Sequence, residues 1–165
     1  MSERTVVIGL GNPLMGDDGL GLAALERLRH YDFAPEIELI DGGTWGMNLL
    51  PVIEDADRIL LLDAINIGAQ PGALVVLERD QLPRYLRTKV SPHQVDLADV
   101  LALAELRGNL SPHTVAIGLQ PERVEMIAEL SPGIERQLDR VVATALSRLA
   151  DWGYRPSPAP IRSHA

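Results

Sequence analysis

A chain of 165 residues is long enough for one domain that buries about 70% of the surface its unfolded form exposes. It has no cysteine, which excludes disulfides, thiolate metal sites and cysteine nucleophiles. Its formal net charge of -8 argues against binding bulk nucleic acid by counterion release and leaves protein and cationic partners open.

The N-terminus shows no signal-peptide layout, and no apolar run approaches the ~20 residues of a membrane helix. No membrane partner is therefore expected, and the lack of cysteine is compatible with a reducing cytoplasm. The first predicted strand, Thr5 to Gly9, is short, β-branched and apolar throughout, as at the centre of a parallel sheet. It leads into Gly9-Leu10-Gly11-Asn12-Pro13-Leu14-Met15-Gly16-Asp17-Asp18-Gly19, a glycine-rich turn. The turn resembles a phosphate-binding loop, but it carries two adjacent carboxylates where a phosphate would need donors. An amphipathic helix follows, with Leu20, Leu22, Ala23, Ala24, Leu25 and Leu28 on one stripe.

Glu36 to Ile40 alternates charged and apolar residues and reads as a second strand nearer an edge, ending in Asp41-Gly42-Gly43-Thr44. A short helix is expected from about Trp45 to Ile53, then a third, strongly apolar strand, Arg58 to Leu62, closed by Asp63. The link Ala64 to Gly72 is too short for a helical crossover, so the fourth strand, Ala73 to Leu77, should run antiparallel to the third.

A polar loop, Arg79 to Val90, carries the chain back across the sheet to Ser91-Pro92-His93-Gln94. That segment has the layout of a helix start, with serine as the cap, proline at the first position and glutamine completing a capping box. The helix runs to about Leu106 and is expected to bury Val95, Ala98, Leu101 and Leu106. A fifth strand, His113 to Leu119, precedes a last helix from Ser131-Pro132 to about Ala150, with Ile134, Leu138, Val141, Val142, Ala145 and Leu149 inward.

The expected architecture is a three-layer α/β sandwich over a mixed five-stranded sheet, mostly parallel with one antiparallel strand. One domain covers residues 1–153, and 154–165 reads as a mobile proline-rich tail.

Ligands in such folds collect beyond the carboxyl ends of the parallel strands. Asp18 follows the first strand, Asp41 ends the second, Asp63 ends the third, and His93 opens a helix after a loop long enough to return to that edge. Two carboxylates and an imidazole suit a borderline divalent cation such as zinc or nickel. A helix N-terminus favours neutral over protonated imidazole, as a ligand requires. Each residue alone has an ordinary reading: Asp63 as a turn residue, Asp17 and Asp18 as helix caps, His93 as an exposed first-turn residue. His30, His113 and His164 are assigned to structure or solvent. A dinucleotide-binding domain is disfavoured because the third glycine of its fingerprint falls at Leu14. A serine hydrolase is disfavoured because no Gly-x-Ser-x-Gly elbow occurs. A metal-sensing or metal-delivery module would use the same three ligands and stays open.

Gly9-Leu10-Gly11-Asn12 with Gly16-Asp17-Asp18-Gly19, then Asp41-Gly42-Gly43-Thr44, Leu61-Leu62-Asp63-Ala64 and Ser91-Pro92-His93-Gln94, in this order, resemble the motifs of the nickel-iron hydrogenase maturation endopeptidases. The likeness runs from about Thr5 to Leu149. Ser91 to Gln94 and Leu97-Ala98-Asp99-Val100-Leu101 resemble the members serving uptake-type hydrogenases.

The resemblance implies a single-domain cytoplasmic protease, expected as a monomer. It would remove a short C-terminal extension from the hydrogenase large-subunit precursor once nickel and iron are in place, cutting just beyond the last metal-binding cysteine motif. The family's metal ligands carry over to Asp18, Asp63 and His93; some relatives hold glutamate where this chain has Asp18. The nickel would belong to the substrate and signal readiness, so that loaded precursor binds better than empty precursor. It could also polarise the scissile carbonyl or a water. Asp41 is the candidate for orienting a ligand or water, and Arg84, Arg87 and Lys89 for docking the substrate.

Overall fold

The computed structural model describes residues 3–43, 46–82 and 95–159, with the side chains of 95–98 left aside. Its sheet is built from β1 (Thr5–Gly9), β3 (Glu38–Asp41), β4 (Arg58–Ala64), β5 (Leu74–Leu77) and β6 (Thr114–Leu119), in the spatial order β3-β1-β4-β6-β5. Four strands are parallel, and β5 alone runs antiparallel, against β6. The five expected strands are all present. β5 has the expected direction, and its ladder partner is β6.

The period of two along the strands sorts their side chains to opposite faces. Val7, Leu60, Leu62, Val115 and Ile117 pack with α1 (Leu20–Leu28) and the last helix, α4 (Pro132–Asp151). Val6, Ile8, Ile59, Leu61 and Ala116 pack with α2 (Leu50–Asp55) and α3 (Val95–Leu106). Because both faces are covered, the central strands carry unbroken apolar runs. The three-layer sandwich follows from that.

In α4 the six residues expected inward are all buried. Truncating one of the large ones, such as Leu138 to alanine, would cost about 2–5 kcal/mol. Among the described side chains of α3, Val100, Leu101 and Ala104 are buried. Leu106, expected inward, is 85% exposed. At 3.6 residues per turn it lies well around the helix from Leu101. The expected burial of Val95 and Ala98 falls on side chains outside those described.

The start of the expected tail, residues 154–159, is packed and paired. Tyr154 is buried, and its hydroxyl and the Thr5 hydroxyl share a hydrogen bond of 2.6 Å. Beyond it, β7 (Arg155–Pro158) pairs antiparallel with β2 (Tyr31–Ala34) as a separate two-stranded ribbon. Prolines usually argue against a strand, but they are tolerated at an edge where no N–H is required. Pro156 and Pro158 alternate with Arg155, Ser157 and Ala159, and the Ala159 N–H donates to the His30 carbonyl at 2.9 Å. The prolines thus occupy the phase of the strand that faces away from the ladder.

Candidate active site at the carboxyl edge of the sheet

The turn after β1 is closed by its own backbone. Gly11 has φ +107°, and a β-carbon there would stand 1.9 Å from the Asp18 carbonyl oxygen, so only glycine fits. The Leu14 N–H donates to the Asn12 side-chain oxygen at 2.9 Å and the Met15 N–H to the Asn12 carbonyl at 3.1 Å. This folds the loop back so that the Asn12 N–H donates to Asp18 Oδ2 at 2.8 Å. Asp18 sits in a single 3-10 turn, Gly16–Gly19, directly ahead of α1, and is 8% exposed.

Asp63 is the next-to-last residue of β4 and is 1% exposed. The Ala64 N–H donates to its Oδ1 at 2.8 Å. On its flank lies Gly118 of β6, in register with Asp63, where a β-carbon would come 1.7 Å from the Asp63 carbonyl oxygen. β1 and β4 are neighbours, with Gly9 opposite Leu62, and the Gly16–Gly19 turn rests on β4. Asp18 and Asp63 therefore share the carboxyl edge of the sheet, each with one carboxylate oxygen oriented by a backbone N–H.

Asp41 closes β3 on the same edge. It is exposed, and its Oδ1 accepts the Gly43 N–H at 3.0 Å, while the Gly42 N–H donates to the Gly9 carbonyl at 2.8 Å. His93 lies outside the described residues, as do Thr44, Trp45, His164, the docking candidates Arg84, Arg87 and Lys89, and the helix start at Ser91. Among the described residues no group of three acidic or histidine side chains is arranged to hold an ion. His30 and His113 are exposed.

Asp17 has a role that sequence reasoning missed. Neither acid caps the turn or α1 through its side chain. Asp17 has no exposed surface, and its carboxylate reaches the loop between β6 and α4. There it accepts the N–H groups of Glu122 (3.0 Å), Arg123 (2.8 Å) and Ser131 (2.7 Å), together with the Ser131 hydroxyl (2.8 Å). In return the Asp17 N–H donates to the Arg123 carbonyl at 2.9 Å, and the Gly16 N–H to that of Ile127 at 2.7 Å.

Gln120 does the same for the loop after Asp63. Its Oε1 accepts the N–H groups of Ile67 (2.9 Å) and Ala69 (3.1 Å), and its amide donates to Asn66 Oδ1 at 2.9 Å. For Gln120 the sequence signal is a polar residue directly after an apolar strand, and for Asp17 an acid in the glycine-rich turn.

The profile of the hydrogenase maturation protease family, HycI, matches residues 23–148. This chain belongs to that family. It is 37% identical over 154 residues to the hydrogenase expression/formation protein HupD of Rhodobacter capsulatus, covering 92% of this chain and 73% of that one. To the hydrogenase 2 maturation protease of Escherichia coli (strain K12) it is 32% identical over 157 residues, covering 94% and 96%. The solved structure of the hydrogenase maturating endopeptidase HybD from Escherichia coli superposes with a TM-score of 0.88 at 32% identity, covering 94% of this chain and 97% of that one. The hydrogenase maturation proteases are peptide-bond hydrolases, and this chain carries their α/β fold.

Proposed function

We propose that this protease removes the C-terminal extension of the nickel-iron hydrogenase large-subunit precursor after nickel insertion, and that it recognises the nickel held by that precursor through Asp18, Asp63 and His93. The observation that carries the reading is the placement of two buried carboxylates from separate segments, Asp18 and Asp63, on one edge of the sheet. Oxygen donors of this kind, completed by an imidazole, suit a borderline divalent cation. The nickel is cargo of the substrate, and while docked it supplies Lewis-acid polarisation beside the bond to be cut.

The chain's own contribution is positioning. The Asn12 and Ala64 N–H groups hold the two carboxylates in fixed orientations, so that little ordering remains when the precursor arrives. Asp41, exposed on the same rim, orients a ligand or water. The reading places the enzyme in the cytoplasm as a monomer that meets its partner there.

The test mixes the purified chain with precursor in nickel-loaded and nickel-free forms and follows intact mass. One fixed cut in the loaded form alone, lost in Asp63→Asn, is the expected result. Equal trimming of both forms would remove nickel recognition from the account.

A further inference from the structure

A cleft of about 610 Å³ opens beside the turn that carries Asp18. Such a volume lies within the roughly 300–1,000 Å³ of ligand sites. One wall is α1, through Leu22 and Ala23; the other is the segment Ala128 to Leu130; Pro13 and Gly19 close the end toward Asp18, and Asp41 stands on the rim. Apolar side chains alternate along the lining with four carboxylates, Glu26, Asp41, Glu129 and Glu135, and one cation, Arg29.

Two of its other acids are matched: Glu26 contacts Arg29 at 3.4 Å, and Glu135 contacts Arg27 at 3.0 Å. Asp41 and Glu129 form no ion pair among the described residues, and the protein as a whole carries a net charge of -8. The cleft therefore complements an apolar segment that also bears positive charge.

The far wall is fixed in advance. Asp17 binds Glu122, Arg123 and Ser131, so Ala128 to Leu130 is held at both ends against the turn that leads into α1. A preformed groove spares a peptide part of the ordering cost of binding.

We infer that this cleft binds the precursor's C-terminal extension as an extended peptide, and that it favours apolar side chains together with lysine or arginine. The inference rests on the proposed cleavage reaction. In that reaction the segment before the cut is held through its metal, which leaves the extension as the part with a groove still to fill.

The experiment compares two nickel-loaded precursors whose extensions differ only in carrying lysine or glutamate. Wild-type enzyme is expected to show a KM about fivefold lower for the lysine form, with equal kcat, as befits a single exposed ion pair. Glu129→Lys, at an exposed position, should reverse the preference, and Glu129→Gln should abolish it. Equal KM values for both precursors in wild type and both variants would overturn the inference.

A second measurement is independent of cleavage: titration of the free lysine-bearing extension peptide, followed by NMR. Shifts confined to Leu22, Ala23, Ala128 and Leu130 support the groove even if no precursor is cut, a result that would sink only the proposed reaction. Shifts elsewhere, or none at millimolar peptide, count against it.

Discussion

Asp17 and Ser131, 114 residues apart in sequence, are joined twice: the Ser131 N–H donates to Asp17 Oδ1 at 2.7 Å and the Ser131 hydroxyl to Oδ2 at 2.8 Å. Ser131 is the residue before α4, yet its hydroxyl does not cap its own helix. Both Ser131 donors go instead to the carboxylate of Asp17, which brings negative charge near the positive end of a 20-residue helix. The same carboxylate ties the β6–α4 loop to the turn that carries Asp18.

Replacing Asp17 by alanine strands four donors in a buried or half-buried setting. Each hydrogen bond to a charged group contributes about 1.5–3 kcal/mol, part of which water recovers where it can enter. A loss on the order of 3 kcal/mol is expected for Asp17→Ala, against about 1 kcal/mol for Ser131→Ala. Urea unfolding midpoints measure both. Equal, small shifts would show that the clamp is not a principal anchor of the loop.

Gly118 makes a sharper demand on the site. In register with Asp63, it lies so close to that residue's carbonyl that a β-carbon would meet it at 1.7 Å, and the carbonyl belongs to backbone within the sheet. Backbone cannot turn aside as a side chain would. Gly118→Ala should therefore cost at least the 1–3 kcal/mol typical of overpacking and displace the end of β4. Thermal unfolding should register the first effect and precursor trimming the second. A variant of wild-type stability and activity would contradict the packing described.

Much of this arrangement was legible in the sequence. β1, β4 and β6 announce themselves because strands buried on both faces must be apolar throughout, and the inward stripe of α4 follows the helical period. The β2–β7 ribbon was hidden because Pro156 and Pro158 argue against a strand unless the partner's register is known. In sequence Asp17 and Asp18 look like a pair of helix caps, since the donors of Asp17 lie more than a hundred residues away. Leu106 misled because composition marks it as core while its angle around α3 does not. The edge shared by Asp18 and Asp63 was predictable from strand polarity alone; the hydrogen bonds that aim their carboxylates were not.

Glu54, at the end of α2, fastens the far end of α3. Its Oε2 accepts from Arg107 Nε at 2.7 Å and Asn109 Nδ2 at 2.7 Å. The hydrogen bond from Arg107, then that from Asn109 and the charge of Arg107, hold the Glu54 carboxyl below its ordinary value near 4.5. A depressed folded-state pKa contributes stability that is present above the unfolded value and lost as pH falls through the folded one. Glu54→Gln should thus be less stable than wild type at pH 7, with the difference shrinking below about pH 4.5. Raised salt should shrink it too. Unfolding midpoints at pH 7 and in the acid range decide the matter: a difference that grew on acidification would have the wrong sign.

Asp41 offers a test of chemistry against binding. It is exposed, its Oδ1 is engaged by the Gly43 N–H, and it stands where the cleft along α1 meets the edge that bears Asp18 and Asp63. Asparagine can keep the Oδ1 contact, so Asp41→Asn should fold normally while losing the charge that orients a ligand or water. An interaction made mainly in the transition state lowers kcat with KM little changed. General acid–base and orienting roles are typically worth about 10²–10⁴-fold, and a residue acting through water orientation belongs at the lower end, about a hundredfold. Single-turnover trimming of nickel-loaded precursor, with binding measured separately, reads the two quantities apart. An equal loss of both would remove Asp41 from the chemistry and leave it as part of the groove wall.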